Sequence, residues 1–477
     1  MTTVRRLRDF VISDVWTAGG GGTMIFLFAI FLFDLAIRLL NLALLPGGDA
    51  HFSESDSLGY WALGTGLANP DTFFPTLIAM TDRMPLYPLL LGGVQSLFGS
   101  NSAWVVALGQ AIIDAGTCAL IASLGALLSP RVGLVAGILA ALSVNLVIYS
   151  TQVLTDCLAL FFFTLMLVAG TRFLLRPTNR LAIVAGLAGG LATLTRPVFF
   201  LMLLTIPFVI ALAIGLRQKL STALAAALLF SLGAAMTIAP VLIRNVVYYG
   251  TFSLTSQTGQ HLAYWIVPLV TQRADGTPYQ ASVDRMRTIY QQRATEVGLG
   301  GGGNPFQVAA LEARLAKEEM TRLPAWAFLD AWLEGAVLSL ASPAILMDPR
   351  VRSLPKPSFY NVPGQTLWQR THSYIFDDFS RYQVMLIFGL VATVPLLALQ
   401  VAGFLMLART LPWAAGLAGA VLAYFLLING PVAMPKYRLP MEPVLIVLTA
   451  IPLAWLTKAR RVNAFAPDAK AEKTFST

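Results

Sequence analysis

Charge is scarce in this chain. Asp, Glu, Lys and Arg together make up 12% of its 477 residues, against about a quarter in soluble domains. A water-soluble globule is therefore excluded as the main architecture. Cysteine is rarer still: Cys118 and Cys157 both lie inside apolar runs, which excludes a disulfide framework and a zinc-ligand pattern. Three histidines, His51, His261 and His372, are too scattered for a built-in metal cage. No internal repeat stands out, and low complexity is confined to glycine runs at 19–22 and 300–303 that read as connectors. A cleavable signal peptide is not evident either, because the first apolar run is long enough to stay as a span.

What the chain has is apolar length. Hydrophobic residues make up 56% of it, and its mean hydropathy is +0.70. With ~20 residues per crossing, helices are predicted near 24–46, 100–128, 132–149, 153–175, 181–197, 198–216, 221–243, 383–408, 411–429 and 441–457. The stretch 181–216 also reads as one unit kinked around Pro197. The fold class is all-α and polytopic, with about ten or more spans. Two long polar excursions interrupt them, at 47–99 and 244–382. The chain thus divides into an N-terminal membrane core (1–243), an outer segment (244–382), C-terminal spans (383–457) and a basic tail (458–477).

The net charge of +9 reads as membrane topology and anionic lipid rather than nucleic acid. Arg5, Arg6 and Arg8 place the N-terminus inside. Alternation then puts Arg131, the cluster over 172–180, Arg217 with Lys219, Arg409, and Lys458, Arg460 and Arg461 inside as well. Every short basic loop agrees, and both long excursions fall outside.

That registration brings chemistry to one face. Asp56 lies in the first outer loop within Glu54-Ser55-Asp56-Ser57, and Arg83 opens Arg83-Met84-Pro85-Leu86-Tyr87-Pro88. Gln152 and Asp156 stand at the outer mouth of the fourth span, Arg196 at the outer end of the fifth, and Arg244 with Asn245 at the end of the seventh. Lys436, Tyr437 and Arg438 occupy the short outer loop before the last span. A lipid phosphate at this level needs cations that reach it, and Arg presents a planar fork of donors to phosphate oxygens. Such cations stabilise a departing phosphate, while a carboxylate takes the proton of an attacking hydroxyl. Together these residues point to group transfer from a lipid phosphate to a hydroxyl.

Plainer readings stand beside these. Asp56 also suits capping of a helix that starts at Leu58, and Thr155-Asp156 suits another cap. Arg83, Arg244 and the Tyr437-Arg438 pair also suit headgroup anchoring. Asp34 and Arg38 sit four apart on the first span, a spacing that fits an intrahelical pair. Asp114, four residues after Gln110, has no partner visible in sequence, and a hydrogen bond to a neighbouring helix is expected. In the outer segment, Asn304-Pro305 starts a helix. Residues 325–340 form an amphipathic stretch with Trp326 and Trp332 suited to the interface. Residues 58–67 and 88–98 have the same character, and 342–382 reads as an irregular covering loop.

The ordered motifs resemble the GT-C glycosyltransferases of the protein mannosyltransferase and aminoarabinose transferase superfamily. The likeness runs through Asp56-Ser57-Leu58-Gly59-Tyr60, the Arg83 segment with Tyr87, and Leu154-Thr155-Asp156. It continues through Leu194-Thr195-Arg196-Pro197, Arg244-Asn245 before Tyr249-Gly250-Thr251-Phe252, Gly259-Gln260-His261-Leu262, and Tyr437-Arg438-Leu439-Pro440. It covers roughly residues 24–457. What it implies is a GT-C fold and an inverting transfer of a sugar from a polyprenyl (undecaprenyl) phosphate to an acceptor hydroxyl at the outer face of a bacterial inner membrane. The acceptor would be a lipid, glycan or protein.

By that resemblance Asp56 is the general base and Asp156 the second acidic position. Arg244 and Arg438 lie near the lipid phosphate, with Arg83 and Lys436 as further candidates. Tyr60, Tyr87, Arg196, His261 and Tyr437 complete the substrate-binding set. The chain departs from the family in carrying Ser57 where an acid often follows, and Gln152 where Glu is frequent. Fewer carboxylates then converge; no cofactor is required and divalent-metal dependence stays open. Two rival classes remain: a lipid flippase or transporter, expected to show repeats and broken helices, and a polysaccharide polymerase or ligase.

Overall fold

In lipid every backbone N–H and C=O must be satisfied within its own segment, and the apolar runs accordingly become helices. The computed structural model describes residues 21–464 apart from 46, 48, 53–54, 216–218, 301–302, 356–358, 360–361, 365 and 378–379. Arg5, Arg6, Arg8, Glu54, Arg217 and the chain beyond 464 lie outside the described residues. Among the described residues every regular element is helical.

The first half of the chain holds α1 (Gly21–Leu44), then α2 (Ser55–Ala68), α3 (Pro70–Ala79) and α4 (Leu86–Phe98) in the first excursion. It continues with α5 (Ala103–Ala126), α6 (Pro130–Ala141), α7 (Asp156–Leu175), α8 (Asn179–Thr195), α9 (Phe200–Gly215) and α10 (Leu220–Tyr249). The second excursion contributes α11 (Val267–Asp275), α12 (Tyr279–Glu296), α13 (Pro305–Met320), α14 (Ala325–Ala341) and α15 (Leu367–Phe376). The chain returns through α16 (Arg381–Thr410), α17 (Pro412–Asn429) and α18 (Glu442–Ala464).

Seven helices among the described residues are long and apolar enough to cross a membrane: α1, α5, α7, α10, α16, α17 and the run Pro435–Thr457. An eighth is counted if α13 and α14, bent by 114° between them, are one broken span. The other three predicted runs are the shorter helices α6, α8 and α9. The run 132–149 is cut after Ala141 and resumes as the short helix Val144–Tyr149. At Pro197 the kink is real. The residue before a proline is driven out of the helical region, and Arg196 is extended, with φ −144 and ψ 126.

Packing follows small residues. A Cβ built on Gly186 would stand 2.1 Å from the Phe230 carbonyl oxygen, and one on Gly190 would overlap Thr237. These two glycines, four apart, let α8 and α10 touch backbone to backbone, the small-xxx-small device of membrane helices. The last span forms the centre of the bundle: 83% of its apolar window is buried, against 11% of that of α16. Phe163, Phe199 and Phe425 form a ring trio with centroids 5.1, 5.3 and 5.7 Å apart. They lock α7, the turn after Arg196 and α17 together.

One ionic group sits inside the apolar bundle. Arg38 meets Asp34 at 2.9 Å on its own helix and Asp114 on α5 at 2.8 Å, and all three are essentially inaccessible. The expected intrahelical pair is therefore part of a triad, and the partner expected for Asp114 is Arg38.

The outer segment is more ordered than its composition suggests. Thr366 and Gln369 make a reciprocal capping box that starts α15, so 342–382 is not irregular throughout. Buried Arg370 on α15 pairs with Glu334 on α14, and Arg273 on α11 reaches the same carboxylate at 2.8 Å. On α14, Trp326, Leu329, Leu333 and Val337 are more than half exposed at helical spacing. This apolar stripe suits the membrane interface.

Candidate functional site

The site is built on a polar knot beneath the first excursion. The backbone N–H of Val153 donates to the His51 carbonyl at 3.0 Å, and His51 Nδ1 lies 2.8 Å from the Thr151 carbonyl oxygen. Buried Gln110 on α5 donates to the carbonyls of Ser150 (3.1 Å) and Gln152 (2.7 Å). In return it accepts from the Tyr87 hydroxyl at 2.7 Å. Tyr87, wholly buried on α4, packs edge-on against Tyr60 with ring centroids 5.6 Å apart. The loop carrying Asp56 is thus fixed to the mouth of α7 by groups far apart in sequence.

Asp56 does not cap a helix that begins at Leu58. The helix begins at Ser55 and holds Asp56 in its first turn, where a carboxylate is favoured by the helix dipole. Its Oδ1 accepts from Arg83 Nη2 at 3.0 Å, and its Oδ2 lies 3.6 Å from Lys436 Nζ. The Arg83 guanidinium also lies 5.4 Å from the centre of the Tyr60 ring, and Lys436 Nζ 5.7 Å from that of Tyr437. Asp56 is 40% exposed, so its carboxylate is open to a ligand.

Asp156, the first residue of α7, is ion-paired with Arg196 at the extended corner before Pro197. Tyr60 is within electrostatic reach of both acid–arginine pairs, Arg83 with Asp56 and Arg196 with Asp156. Burial pushes its phenol above the usual range. Arg196 in turn feels Tyr437, Tyr60 and Asp56. The structure therefore gathers Asp56, Tyr60, Arg83, Asp156, Arg196, Lys436 and Tyr437. Exposed Asp82 also lies 3.9 Å from Arg83, so three acids face three cations here, and the cations are the groups an anionic ligand would engage.

The other predicted residues make their hydrogen bonds outside that cluster. Arg438 donates to Glu442 at 2.8 Å and to the Leu340 carbonyl at 2.9 Å, an anchoring role between the last span and α14. Arg244 donates to Asn245 at 2.9 Å and to the Leu77 carbonyl at 2.8 Å, capping the end of α3, while its Nη2 is buried without a hydrogen-bond partner among the described residues. His261 lies on the short helix Gln257–His261, where burial holds its imidazole below the usual value. Tyr87 is behind the cluster and engaged with Gln110.

Sequence reasoning missed two residues. Glu442 accepts from both Arg438 and Asn145 (3.0 Å), and Asn145 also donates to the Pro435 carbonyl at 3.4 Å. These bonds hold the turn that presents Lys436. An ionisable Glu442 at the start of an apolar span was the available signal. Among the described residues, the acid, thiol or imidazole group whose ligand atoms lie within 4.8 Å of one another is Asp34, Asp114 and Cys118. That group is already engaged with Arg38 and away from Asp56.

No curated protein matches the chain. Among solved structures, similarity is found to the archaeal oligosaccharyltransferase AglB from Archaeoglobus fulgidus in complex with an inhibitory peptide and a dolichol-phosphate. Identity there is 16% and the TM-score 0.49, over 93% of this chain and 51% of the other; the chain spans about half of that protein's length. Similarity is also found to ArnT from Cupriavidus metallidurans bound to undecaprenyl phosphate, at 14% identity and a TM-score of 0.35, over 94% of this chain and 79% of that one. The resemblance read from the ordered motifs is borne out on the segment that carries Arg83, Asp156 and Arg196: residues 82–243 match the model of the family described as dolichyl-phosphate-mannose-protein mannosyltransferase.

Proposed function

We propose that this chain is a GT-C glycosyltransferase that moves a sugar from a polyprenyl phosphate to an acceptor hydroxyl, inverting the anomeric centre, at the periplasmic face of a bacterial inner membrane. The observation that carries the reading is the double pairing of Asp56 with Arg83 and Lys436. A half-exposed carboxylate flanked by two cations from remote segments is what acceptor deprotonation beside a phosphate leaving group requires.

In the resting arrangement both cations rest on the base. An incoming donor phosphate competes for them, and as they turn toward it the Asp56 carboxylate is released to take the acceptor proton. The acceptor oxygen then bonds to the anomeric carbon, and the C–O bond to the phosphate breaks. The polyprenyl phosphate leaves with its charge met by Arg83 and Lys436. Arg244, whose buried Nη2 has no hydrogen-bond partner among the described residues, is a further donor for that phosphate. Asp156 and Arg196 orient the sugar.

The matched family supports this donor class. Reconstitution in liposomes with a labelled polyprenyl-phosphate hexose or pentose tests it. Wild type is expected to form a new glycosidic bond, and Asp56→Asn to lose about 10²–10⁴-fold in rate while keeping its fold. Near-normal turnover by Asp56→Asn would remove Asp56 as the base. Lipid scrambling without a new glycosidic bond would identify a flippase instead.

A further inference from the structure

At the far end of the bundle from Asp56 lies an apolar crevice of about 270 Å³ between α5, α7, α17, α18 and the end of α16. Leu128, Leu175, Leu411 and Trp413 line it, and Thr171 is its polar member. Its distance from the Asp56 cluster follows from α7. Asp156 begins that helix, and the crevice residues Leu167, Thr171 and Leu175 occupy its last turns, roughly 16–28 Å away at ~1.5 Å per residue. The crevice therefore opens at the end of α7 away from Asp156, and Val444, Val447 and Leu448 in the first two turns of α18 carry it inward toward Glu442. Its volume approaches the ~300 Å³ at which ligand-sized sites begin, and its lining offers dispersion contact with almost no hydrogen bonding.

Its edges are charged, and of one sign. Arg172 follows Thr171 and donates to Ser123 Oγ at 2.8 Å, which holds the guanidinium beside Leu124 of the lining. Arg131, Arg176 and Arg409 are exposed on the turns that close the same end. Residues 124–131, 171–180 and 407–418 contain no Asp or Glu. At this end the described rim carries arginines and no acid, Glu442 beside Val444 on α18 being held by Arg438 and Asn145. Such a slot is complementary to an apolar chain attached to an anion at headgroup depth.

We propose that the crevice is a resident-lipid site that takes one acyl chain of an anionic glycerophospholipid from the leaflet opposite Asp56. Arg172 and Arg409 meet the headgroup phosphate. The lipid fills the gap between α7 and α17, helices that also carry the aromatic trio next to Arg196. This site stands independently of the reading given to the Asp56 cluster.

Native mass spectrometry with lipid extraction on the purified full-length protein tests the assignment. Wild type is expected to retain a glycerophospholipid enriched in anionic headgroups. Ala418→Trp, which fills the slot, should lower retention about tenfold, a loss of ~1.4 kcal/mol in affinity. Arg172→Gln with Arg409→Gln should abolish the headgroup preference while leaving an acyl chain bound. Should Ala418→Trp not fold, quenching by brominated-chain vesicles replaces it. The fluorescence that Trp413→Phe removes is expected to be quenched more strongly by phosphatidylglycerol than by phosphatidylcholine. Equal quenching by the two lipids, an unchanged retained lipid in folded Ala418→Trp, or a polyprenyl phosphate as the retained species would each overturn the proposal.

Discussion

Asp56 shares Arg83 and Lys436, and the two cations differ in what they offer. Arg83 presents a planar fork and rests on Tyr60, whereas Lys436 is a compact charge at the end of a flexible stem. Lys436→Met is therefore expected to raise the donor KM about tenfold, and Arg83→Lys to reduce kcat as well, since a point charge does not reproduce the fork. Steady-state kinetics with a labelled donor separates the two. The Asp156–Arg196 pair is more buried, and removing one partner strands the other charge. Asp156→Ala is expected to destabilise the protein by about 3 kcal/mol, the lower end of the buried-pair range because Arg196 is partly accessible. Adding Arg196→Met should recover part of that loss, as read by thermal unfolding in detergent. Full additivity of the two substitutions would show that the pair is not coupled.

At the scale of elements, two local features place the site. Pro197 interrupts the helical path and holds Arg196 extended, which turns its side chain onto Asp156. Pro197→Ala frees that residue to continue α8, and transfer is expected to fall about 10²-fold through misplacement of the pair, with little loss of thermal stability. A midpoint that drops as far as the rate would instead assign Pro197 a purely structural role. The contact of α8 with α10 is the second feature. Gly190→Leu drives a side chain into Thr237 and the Ala234 backbone and should cost about 1–3 kcal/mol. A stability equal to wild type in an unfolding titration would contradict this packing.

Across the whole molecule, the arrangement has a polarity. The acid–base cluster lies at one end of α7, and the arginine-rimmed crevice at the other. In the orientation proposed above, the first faces the periplasm and the second the cytoplasm. Cys118 and Cys157 are both buried, so introduced cysteines report without background. A membrane-impermeant thiol reagent applied to spheroplasts is expected to label Glu296→Cys, an exposed outer-segment site. Arg131→Cys should be labelled only after permeabilisation. The reverse pattern would invert the orientation and with it the placement of the reaction.

The chain's own order of residues settled what depends on local length and charge. The apolar runs had to become helices because lipid offers the backbone no other partner. The short basic loops predict their orientation, and that alternation places Asp56, Asp156 and Arg196 on one predicted face. Pairing was decided by the tertiary structure, because it depends on which helices touch. Arg83 reaches Asp56 across 27 positions and Arg196 reaches Asp156 across 40. Lys436 arrives from the far end of the chain, and Arg438 is drawn off to Glu442. Asp114 found Arg38, a partner invisible along one helix. Periodicity reports a residue's face, and charge reports its depth. Only packing reports its neighbour, and the chemistry of this site is made of neighbours.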